Sequence, residues 1–465
     1  MALGSTLRKR AYVETYGCQM NISDGELMEG ILAAGGYELV SSPEEADVVL
    51  VNTCAIREHA EQRVLGRISQ LSALKKDRPG FVIGVTGCMA QRMGDELLRR
   101  APYIDLMMGP DGYRSLPVAL ARIREAAPAA PLRRPPRAAK PRVQLAVVDF
   151  DREESYEGLV PRRGSDVTAF VTVQRGCDHR CTFCIVPYVR GPEKNRRPGE
   201  VLAEVTGLAA RGLTEVTLLG QTVNSYRHPG WSFARLLREV ARVPGIRRVR
   251  FTSPHPIDVT PELVGVMAGE PAVCEQLHLP LQSGSDAVLR RMLRRYTVAA
   301  YLEKVALVRD AVPDVALSTD LIAAFPGESE SDFEATLEVV RTVGFDDAFT
   351  YRYSPREGTP ATRLPPASFI PDGVAQARLE RMIEVTRAVQ SEINRAEVGR
   401  TEEVLIERAG RTPGQLLGRT RRNKVVAFDG DPALIGSCRA VLLERTSGAT
   451  FGGRLLEEPA RAESA

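Results

Sequence analysis

Apolar positions in the first third of the chain form three similar units. Each unit is a short apolar run that ends in a small or polar residue and a cysteine, at residues 11–18, 47–54 and 81–88. The cysteines lie 36 and 34 residues apart, which is the length of one strand–helix–strand unit. Between the runs, residues 24–34 and 55–74 have helical spacing of apolar positions. The pattern predicts a parallel α/β domain over residues 9–125.

Strands and helices also alternate in the middle of the chain, over residues 163–397. Six apolar runs predict strands at 167–174, 215–220, 247–252, 275–281, 315–324 and 345–351. Helical patterns such as those at 198–211 and 329–343 separate them, and a long helical run at 371–398 ends the domain. Six parallel strands rather than eight predict a partial (βα)6 barrel, with its chemistry on the loops after the strands.

The last part of the chain, residues 398–459, consists of short runs broken by glycine and Asp-Gly turns. Runs at 401–408, 416–419, 424–428 and 440–444 predict a small C-terminal β-barrel. Residues 126–162 begin with a proline-rich stretch that has few large apolar residues. This composition predicts a linker, followed by a short segment that leads into the second domain. The fold class is therefore α/β with three domains.

Composition narrows the classes of function. Eight cysteines among 465 residues argue against a secreted disulfide scaffold and for reduced thiols, so we expect a cytoplasmic protein. Lys and Arg number 62 against 59 Asp and Glu, so a nucleic-acid partner would need a local basic patch. The chain has no run of about eighteen apolar residues, and no apolar signal region follows its first residues. We therefore expect no membrane association and no secretion.

Three cysteines lie close together in one loop after the first predicted barrel strand. Cys177, Cys181 and Cys184 form the pattern C-x3-C-x2-C. Three thiolates can hold three irons of a 4Fe-4S cluster, which normally has four cysteine ligands, so one iron stays open for a small molecule. A zinc site that includes His179 is an alternative, but zinc ligands usually come as spaced pairs. A disulfide is the other alternative, and the spacing favours the cluster over both.

The three cysteines of the first domain indicate a second site. Right-handed crossovers place the ends of parallel strands at one edge of a sheet, so Cys18, Cys54 and Cys88 are expected to converge there. The alternative is that each is a small buried apolar residue. Because all three occur in phase at strand ends, we favour a second cluster with three thiolate ligands.

A basic segment lies on the predicted C-terminal barrel, at residues 411–424. It has five cations and no carboxylate, which suits contacts with phosphate and sugar. A solvated basic face is the alternative. The residues that we expect to bind RNA are Arg419, Arg421, Arg422 and Lys424.

Six segments together resemble the methylthiotransferase family of radical S-adenosylmethionine enzymes across nearly the whole chain. They are TYGCQMN at 15–21, NTCAIRE at 52–58, GCMAQ at 87–91, the cysteine loop through residues 190–191, LLGQTVN at 218–224 and LGRTRRNK at 417–424. Asn195 and the two arginines after it depart from the family, in which Ser-Arg is more usual. This departure does not affect the residues that carry the chemistry.

The resemblance implies two 4Fe-4S clusters and S-adenosylmethionine as cofactors. The auxiliary cluster would be held by Cys18, Cys54 and Cys88, and the cluster that binds and cleaves S-adenosylmethionine by Cys177, Cys181 and Cys184. The C-terminal barrel resembles a TRAM domain, which is an RNA-binding module. On the loops of the (βα)6 barrel we expect four residues to contact S-adenosylmethionine or the substrate, namely Gln221, Asn224, Ser283 and Asp320.

The implied activity is that of a tRNA methylthiotransferase. In the family, two molecules of S-adenosylmethionine serve to methylthiolate C2 of N6-isopentenyladenosine next to the anticodon. The implied partners are the tRNA anticodon stem-loop that carries isopentenyladenosine, an electron donor and a sulfur source, and we expect a monomer.

Two alternative functions remain. One is a methylthiotransferase that acts on a ribosomal protein or on threonylcarbamoyladenosine in tRNA. The other is a non-catalytic RNA-binding iron-sulfur sensor.

Overall fold

The structure is a computed structural model that describes residues 9–55, 58–78, 80–126 and 144–456. The chain forms two compact units. The described residues up to Gly164 belong to the first unit together with 175–179 and 185–194, and residues 165–174, 180–184 and those from 195 onward belong to the second. The proline-rich part of the predicted linker, residues 127–143, lies outside the described residues.

The first unit contains a six-stranded sheet in which all neighbouring strands are parallel. From one edge to the other, its strands are Glu38–Leu39, Arg10–Tyr16, Val48–Thr53, Val82–Gly87, Leu106–Met108 and Leu145–Val147. The two central strands are buried at every position, which is typical of a parallel sheet covered on both faces. The predicted parallel α/β fold is confirmed, and three short strands extend the sheet beyond the prediction.

Helices cover both faces of this sheet. The helices of the first unit are Gln19–Ala34, Glu58–Ser72, Cys88–Met93, Asp95–Arg100, Leu116–Glu125 and Val186–Arg190, with 3-10 turns at Ala73–Lys75 and Pro110–Ser115. Alternate residues of one strand pack into two separate cores, since Val48 and Leu50 lie in one and Val49 and Val51 in the other. Helix Gln19–Ala34 begins five residues before the predicted start, directly after Cys18.

Six parallel strands of the second unit form the predicted partial barrel as two three-stranded sheets. In spatial order the strands are Arg248–Phe251, Glu215–Leu219 and Thr168–Thr172 in one sheet and Gln276–His278, Ala316–Ala323 and Asp347–Arg352 in the other. Two-residue strands occur at Gln174–Arg175, Lys194–Asn195, Arg227–His228 and Trp231–Ser232. Apolar side chains of both sheets share one core with the surrounding helices.

The helices of this barrel follow its strands in the chain. They are Pro198–Ala210, Phe233–Ala241, Pro261–Gly269, Asp286–Arg291, Val298–Ala311, Glu330–Val343 and Asp372–Glu397, with 3-10 turns at Val223–Ser225, Pro256–Asp258, Pro360–Arg363 and Pro366–Ser368. Helix Glu330–Val343 has both of its predicted ends. It begins at a capping box made by Ser329 and Asp332 and ends at Gly344 in a left-handed conformation.

The C-terminal part of the second unit is a closed barrel of five strands. The strands are Thr401–Ala409, Gln415–Thr420, Val425–Asp429, Cys438–Ser447 and Thr450–Leu455, with a 3-10 turn at Pro432–Leu434. The fifth strand was not predicted because its two glycines interrupt the apolar pattern. Within the described part of the chain, no helix combines the length and apolar composition needed to span a bilayer.

Candidate iron-sulfur sites

The three amino-terminal cysteines follow three neighbouring strands of the first sheet. They are Cys18, Cys54 and Cys88. The strand register pairs Tyr16 with Thr53 and Thr53 with Gly87, so the three strands end side by side. Each cysteine comes one or two residues after its strand end, and all three therefore lie at the carboxyl edge of the sheet. The structure brings together the three residues that the sequence predicted to converge.

Side-chain hydrogen bonds tie these strand ends to each other. The Asn21 Nδ2 donates to the Thr53 carbonyl oxygen at 3.2 Å, and the Asn52 Nδ2 donates to the Asn21 carbonyl oxygen at 2.7 Å. The Thr53 hydroxyl donates to the Thr86 carbonyl oxygen at 2.7 Å. The Cys18 thiol donates to the Asn21 Oδ1 at 3.3 Å. Asn21, Asn52, Thr53 and Thr86 are fully buried, so their hydrogen bonds fix the edge that carries the cysteines.

Gly87 permits the sharp turn from its strand into Cys88. Its φ of 88° lies in the left-handed region, and a Cβ added here would stand 2.5 Å from both the Asn52 Oδ1 and the Thr53 carbonyl oxygen. A larger residue would therefore meet both backbone strain and a steric clash. Glycine lets Cys88 begin the next helix directly at the strand end.

The thiols of this site differ in their electrostatic environment. A hydrogen bond with Cys54 lowers the pKa of Cys18 to about 6, and the nearby Arg190 guanidinium contributes in the same direction. Burial raises the pKa of Cys88, although Arg190 opposes the shift. Closely spaced thiols, one of them readily ionised, are a donor set that suits an iron-sulfur cluster.

Arg190 is a residue of this site that was not predicted. Its Nε donates to the Cys88 Sγ at 3.2 Å, and its Nη2 donates to the Asp24 Oδ2 at 2.6 Å. Helix Val186–Arg190 delivers it, because Val189 packs with Ala55 and Cys88 in a small buried cluster. In the sequence, Arg190 appeared only as the end of the motif that starts with the cysteine loop.

The residues of the second cysteine loop are divided between the two compact units. Residues 175–179 belong to the first unit and residues 180–184 to the second. In the first unit, the backbone N–H of Cys177 donates to the Gly191 carbonyl oxygen at 3.2 Å. Gly176 has a φ of 73°, and a Cβ here would lie 1.9 Å from the Pro192 carbonyl oxygen. The backbone before Cys177 therefore requires glycine.

In the second unit, the rest of the loop is held by backbone hydrogen bonds. The N–H of Thr182 donates to the Met292 carbonyl oxygen at 3.0 Å, and the N–H of Ala361 donates to the Thr182 carbonyl oxygen at 2.9 Å. The N–H of Cys184 donates to the Cys181 carbonyl oxygen at 3.1 Å. Cys181 is buried, whereas Cys184 is partly exposed.

A second buried arginine contacts Cys181, and it too was not predicted. The Arg294 Nη1 donates to the Cys181 Sγ at 3.5 Å, and its Nε donates to the Tyr296 hydroxyl oxygen at 3.0 Å. Burial disfavours the charged guanidinium, but Tyr296 and Cys181 outweigh this effect and raise the pKa of Arg294. No carboxylate in the described part of the chain forms an ion pair with it. Its positive charge therefore lies next to the thiol without compensation.

Two predicted ligand-contacting residues lie after the strand Glu215–Leu219. The Oε1 of Gln221 is buried and has no hydrogen-bond partner among the residues that the structure describes. By contrast, both ends of the Asn224 amide bond the backbone of His255, at 2.9 Å to its carbonyl oxygen and 2.7 Å from its N–H. Gln221 can still accept a hydrogen bond from a ligand, while Asn224 holds two loops together.

The other two predicted residues also differ from each other. Ser283 is fully buried, and its hydroxyl lies 3.4 Å from that of Thr336. Asp320 is partly exposed on the strand Ala316–Ala323, and its Oδ2 lies 3.3 Å from the Nε2 of His278. Asp320 is therefore better placed than Ser283 to meet a ligand.

The basic residues predicted to bind RNA have carboxylate partners. Arg419 lies 3.2 Å from Glu407 within the C-terminal barrel, and its side chain is 38% exposed. Arg421 forms a 2.8 Å ion pair with Glu275, which directly precedes a strand of the (βα)6 barrel. Of these two arginines, Arg419 has the more accessible guanidinium.

The remaining two predicted RNA-binding residues are mostly buried. Arg422 lies 3.0 Å from Glu397, at the end of the long helix Asp372–Glu397. Lys424 lies 2.8 Å from Asp346, which directly precedes the last strand of the (βα)6 barrel. Their side chains are 11% and 7% exposed. Together with Arg421, these cations join the two barrels of the second unit, so each has a structural role.

Three family models match three separate parts of the chain. Residues 10–109 match Uncharacterized protein family UPF0004, residues 171–340 match the radical SAM superfamily, and residues 395–455 match the TRAM domain. A radical S-adenosylmethionine methyltransferase, TsrM from Kitasatospora setae, has a similar fold. Its TM-score is 0.55 at 13% identity, over 88% of this chain and 77% of that one. Fold and cysteine loop thus define a radical S-adenosylmethionine enzyme that carries a TRAM domain.

Relatives of known name cover nearly the whole chain. The tRNA-2-methylthio-N(6)-dimethylallyladenosine synthase of Moorella thermoacetica is 42% identical over 97% of this chain and 99% of the relative. The protein of the same name from Chlorobium luteolum is 42% identical over 96% and 97%. The chain belongs to the family of tRNA-2-methylthio-N(6)-dimethylallyladenosine synthases, and it is a radical S-adenosylmethionine transferase. Membership implies a 4Fe-4S cluster and S-adenosylmethionine as cofactors.

Proposed function

We propose that this protein replaces the C2 hydrogen of N6-isopentenyladenosine, next to the anticodon of tRNA, with a methylthio group. The family gives the class of reaction, which is radical methylthiolation of tRNA. The observation that carries the proposal is the in-register arrangement of three strands, each followed by a cysteine, at one edge of the first sheet. It supplies a site for sulfur chemistry in addition to the loop that binds S-adenosylmethionine.

The auxiliary 4Fe-4S cluster is assigned to the amino-terminal site. Its ligands are Cys18, Cys54 and Cys88. The depressed pKa of Cys18 and the interstrand hydrogen bonds support this assignment, because iron binds the thiolate form and needs a fixed ligand set. A cluster held by these three thiolates would keep one iron without a protein ligand, and it would supply a position for the sulfur that is methylated.

The cluster that cleaves S-adenosylmethionine is assigned to Cys177, Cys181 and Cys184. These three thiolates would hold the cluster, and a reduced cluster would supply the electron for cleavage of the sulfonium, which yields the radical that removes the C2 hydrogen. The protein contributes the Arg294 charge beside Cys181. We propose that Gln221 and Asp320 contact S-adenosylmethionine or the substrate. Asn224 and Ser283 are proposed to support the loops on which they lie.

The reaction is tested by incubating reconstituted protein with S-adenosylmethionine, a reductant and tRNA that carries isopentenyladenosine, without oxygen. Mass spectrometry of the tRNA nucleosides should show the methylthio product, and Cys181→Ala should show none. If 5′-deoxyadenosine formed without modified tRNA, the substrate assignment would be wrong, and ribosomal protein or threonylcarbamoyladenosine tRNA would be tested next. Absence of both products would favour the non-catalytic sensor.

RNA binding by the TRAM barrel has its own test. We propose that tRNA contacts the exposed side of this barrel, where Arg408 and Arg411 lie, together with Arg419. Arg408→Glu combined with Arg411→Glu should weaken tRNA binding about tenfold or more at low salt, and the effect should shrink as salt rises. Arg422→Glu is the comparison, because it should instead lower the stability of the second unit by leaving buried carboxylates unpaired. Unchanged binding in the double variant would place the RNA surface elsewhere.

The remaining assignments follow from the proposed reaction. It requires an external electron donor and a source that replaces the sulfur used in each turnover. A monomer in the cytoplasm is the state that we propose. Gel filtration with light scattering measures the oligomeric state directly.

A further inference from the structure

Arg190 lies between a predicted cluster ligand and a buried carboxylate. Its Nε donates to the Cys88 Sγ at 3.2 Å, and its Nη2 donates to the Asp24 Oδ2 at 2.6 Å. The side chains of Arg190 and Asp24 are only 4% and 2% exposed. Asp24 belongs to helix Gln19–Ala34, which begins directly after Cys18, so the ion pair is built into the same edge as the cysteines.

One donor of this guanidinium has no acceptor. Among the residues that the structure describes, the buried Nη1 of Arg190 makes no hydrogen bond. Leaving a buried donor of a charged group without an acceptor is costly, so such a donor indicates a ligand. The Cys88 thiol accepts from the same guanidinium, so the unpartnered donor lies beside a predicted cluster ligand.

We propose that Arg190 is a positioning residue of the auxiliary site, where its guanidinium donates hydrogen bonds to Cys88 and to sulfur bound at that site. The inference rests on the proposed function, since it needs a cluster on the amino-terminal cysteines. Arginine suits this task because its planar fork can bond Asp24 and sulfur at the same time, and it stays charged when buried. Lysine would keep the charge but could not present the same fork.

The arrangement links the two cysteine motifs in the sequence. Arg190 follows Cys184 by six residues, yet its partners Cys88 and Asp24 come from the amino-terminal domain. Segment 185–194 belongs to the first unit, so the amino-terminal site takes its residues from two separate stretches of the chain. The buried contacts of Ile185 and Val189 with Ala55 and Cys88 hold that segment in place.

The test isolates the auxiliary cluster in the full chain. In a parent variant with Cys177→Ala, Cys181→Ala and Cys184→Ala, iron content and the midpoint potential of the remaining cluster are measured by EPR-monitored titration. Arg190→Met combined with Asp24→Asn removes both charges, so no buried carboxylate is left unpaired. The reduction equilibrium should shift about tenfold toward the oxidised cluster, which is about 59 mV for one electron. The reason is that hydrogen bonds to cluster sulfur favour the reduced form.

Two further variants make the result specific. Arg190→Lys should give a smaller shift in the same direction. Lys75→Met with Asp105→Asn removes a comparable buried ion pair at the opposite edge of the sheet, where Asp105 accepts from the N–H of Ile83, and should leave the potential unchanged. The inference would be overturned if the midpoint potential were the same in the parent and in both Arg190 variants. It would also be overturned if the Lys75 double variant and the Arg190 double variant shifted the midpoint potential equally.

The outcome also separates this inference from the proposed function. If the parent itself holds no iron, the assignment of two clusters fails. If the parent is loaded and both Arg190 variants lose iron without a lower unfolding temperature, Arg190 is needed to hold the cluster, which supports the inference. Loss of iron together with a lower unfolding temperature in both variants would show a purely structural role and would overturn it.

Discussion

The two cysteine sites use opposite ways of gathering thiols. At the amino-terminal site, Cys18 and Cys88 are 70 residues apart, and strand register brings them to one edge. In the loop, Cys177 and Cys184 lie within eight consecutive residues, and backbone hydrogen bonds fix the conformation. The first arrangement depends on a whole sheet, whereas the second depends on local geometry. Damage to the fold should therefore affect the first site more readily.

The arginines beside the two sites sharpen the contrast. Arg190 forms an ion pair with Asp24. In the described part of the chain, Arg294 bonds the Cys181 thiol, the Tyr296 hydroxyl and the Pro280 carbonyl oxygen, and no carboxylate. An uncompensated cation stabilises added negative charge more strongly than an ion pair does. A cluster held by Cys181, as proposed, would therefore be easier to reduce, and its reduction precedes cleavage of S-adenosylmethionine.

The largest expected effect separates the chemical roles of the sites. Cys181→Ala should abolish cleavage of S-adenosylmethionine, because the loop loses one of its three proposed ligands. Cys54→Ala should leave that cleavage intact and abolish methylthio transfer. Chromatography of 5′-deoxyadenosine and mass spectrometry of tRNA nucleosides measure the two activities. Methylthiolated product from Cys54→Ala would show that the amino-terminal cysteines are not an auxiliary site.

Next in size are the effects of the two strained glycines. Gly176→Ala would place a Cβ 1.9 Å from a backbone carbonyl oxygen, and Gly87→Ala would place one 2.5 Å from two oxygens. Each change also forces alanine into a left-handed conformation, which costs about 1–3 kcal/mol before the clash is counted. We expect Gly176→Ala to lose S-adenosylmethionine cleavage and Gly87→Ala to lose iron at the amino-terminal site. Gly66, with open space around it, is the control position.

A smaller effect is expected from the second arginine. Arg294→Met removes the charge beside Cys181, so the loop cluster should become harder to reduce and S-adenosylmethionine cleavage should slow several-fold. Arg294→Lys should retain part of the activity, because the charge remains. Steady-state formation of 5′-deoxyadenosine over a series of reductants of different potential measures the effect. An equal loss in both variants at every potential would assign Arg294 to packing alone.

The contrast between the sites also explains what the sequence could predict. The sequence predicts the loop site from the spacing of its cysteines and its position after a strand, and the amino-terminal site from the common phase of three strand-end cysteines. The arginines could not be predicted, because their partners are distant in sequence: Arg190 and Cys88 are 102 residues apart, and Arg294 and Cys181 are 113 apart. The basic TRAM segment shows the converse case, because the sequence gives its positive charges but not the carboxylates of distant elements that pair with Arg421 and Lys424.

The smallest effect tests whether interstrand hydrogen bonds make the amino-terminal site the more fragile one. Asn21→Ala removes the donor to the Thr53 carbonyl oxygen and the acceptor of the Cys18 thiol, and we expect a loss of about 1–2 kcal/mol in the stability of the first unit. Asn394→Ala is the matched control, because Asn394 is equally buried and bonds the Gly448 carbonyl oxygen and Lys424 in the second unit.

Hydrogen exchange of the strand Val48–Thr53 should accelerate in the Asn21 variant and not in the Asn394 variant. Because the cysteines of the amino-terminal site depend on strand register, iron at that site should be released faster in the Asn21 variant, while S-adenosylmethionine cleavage by the loop cluster stays unchanged. If the Asn21 variant lost iron at the amino-terminal site and S-adenosylmethionine cleavage together, the two sites would share one folding unit. The different construction of the sites would then not make one of them less stable than the other.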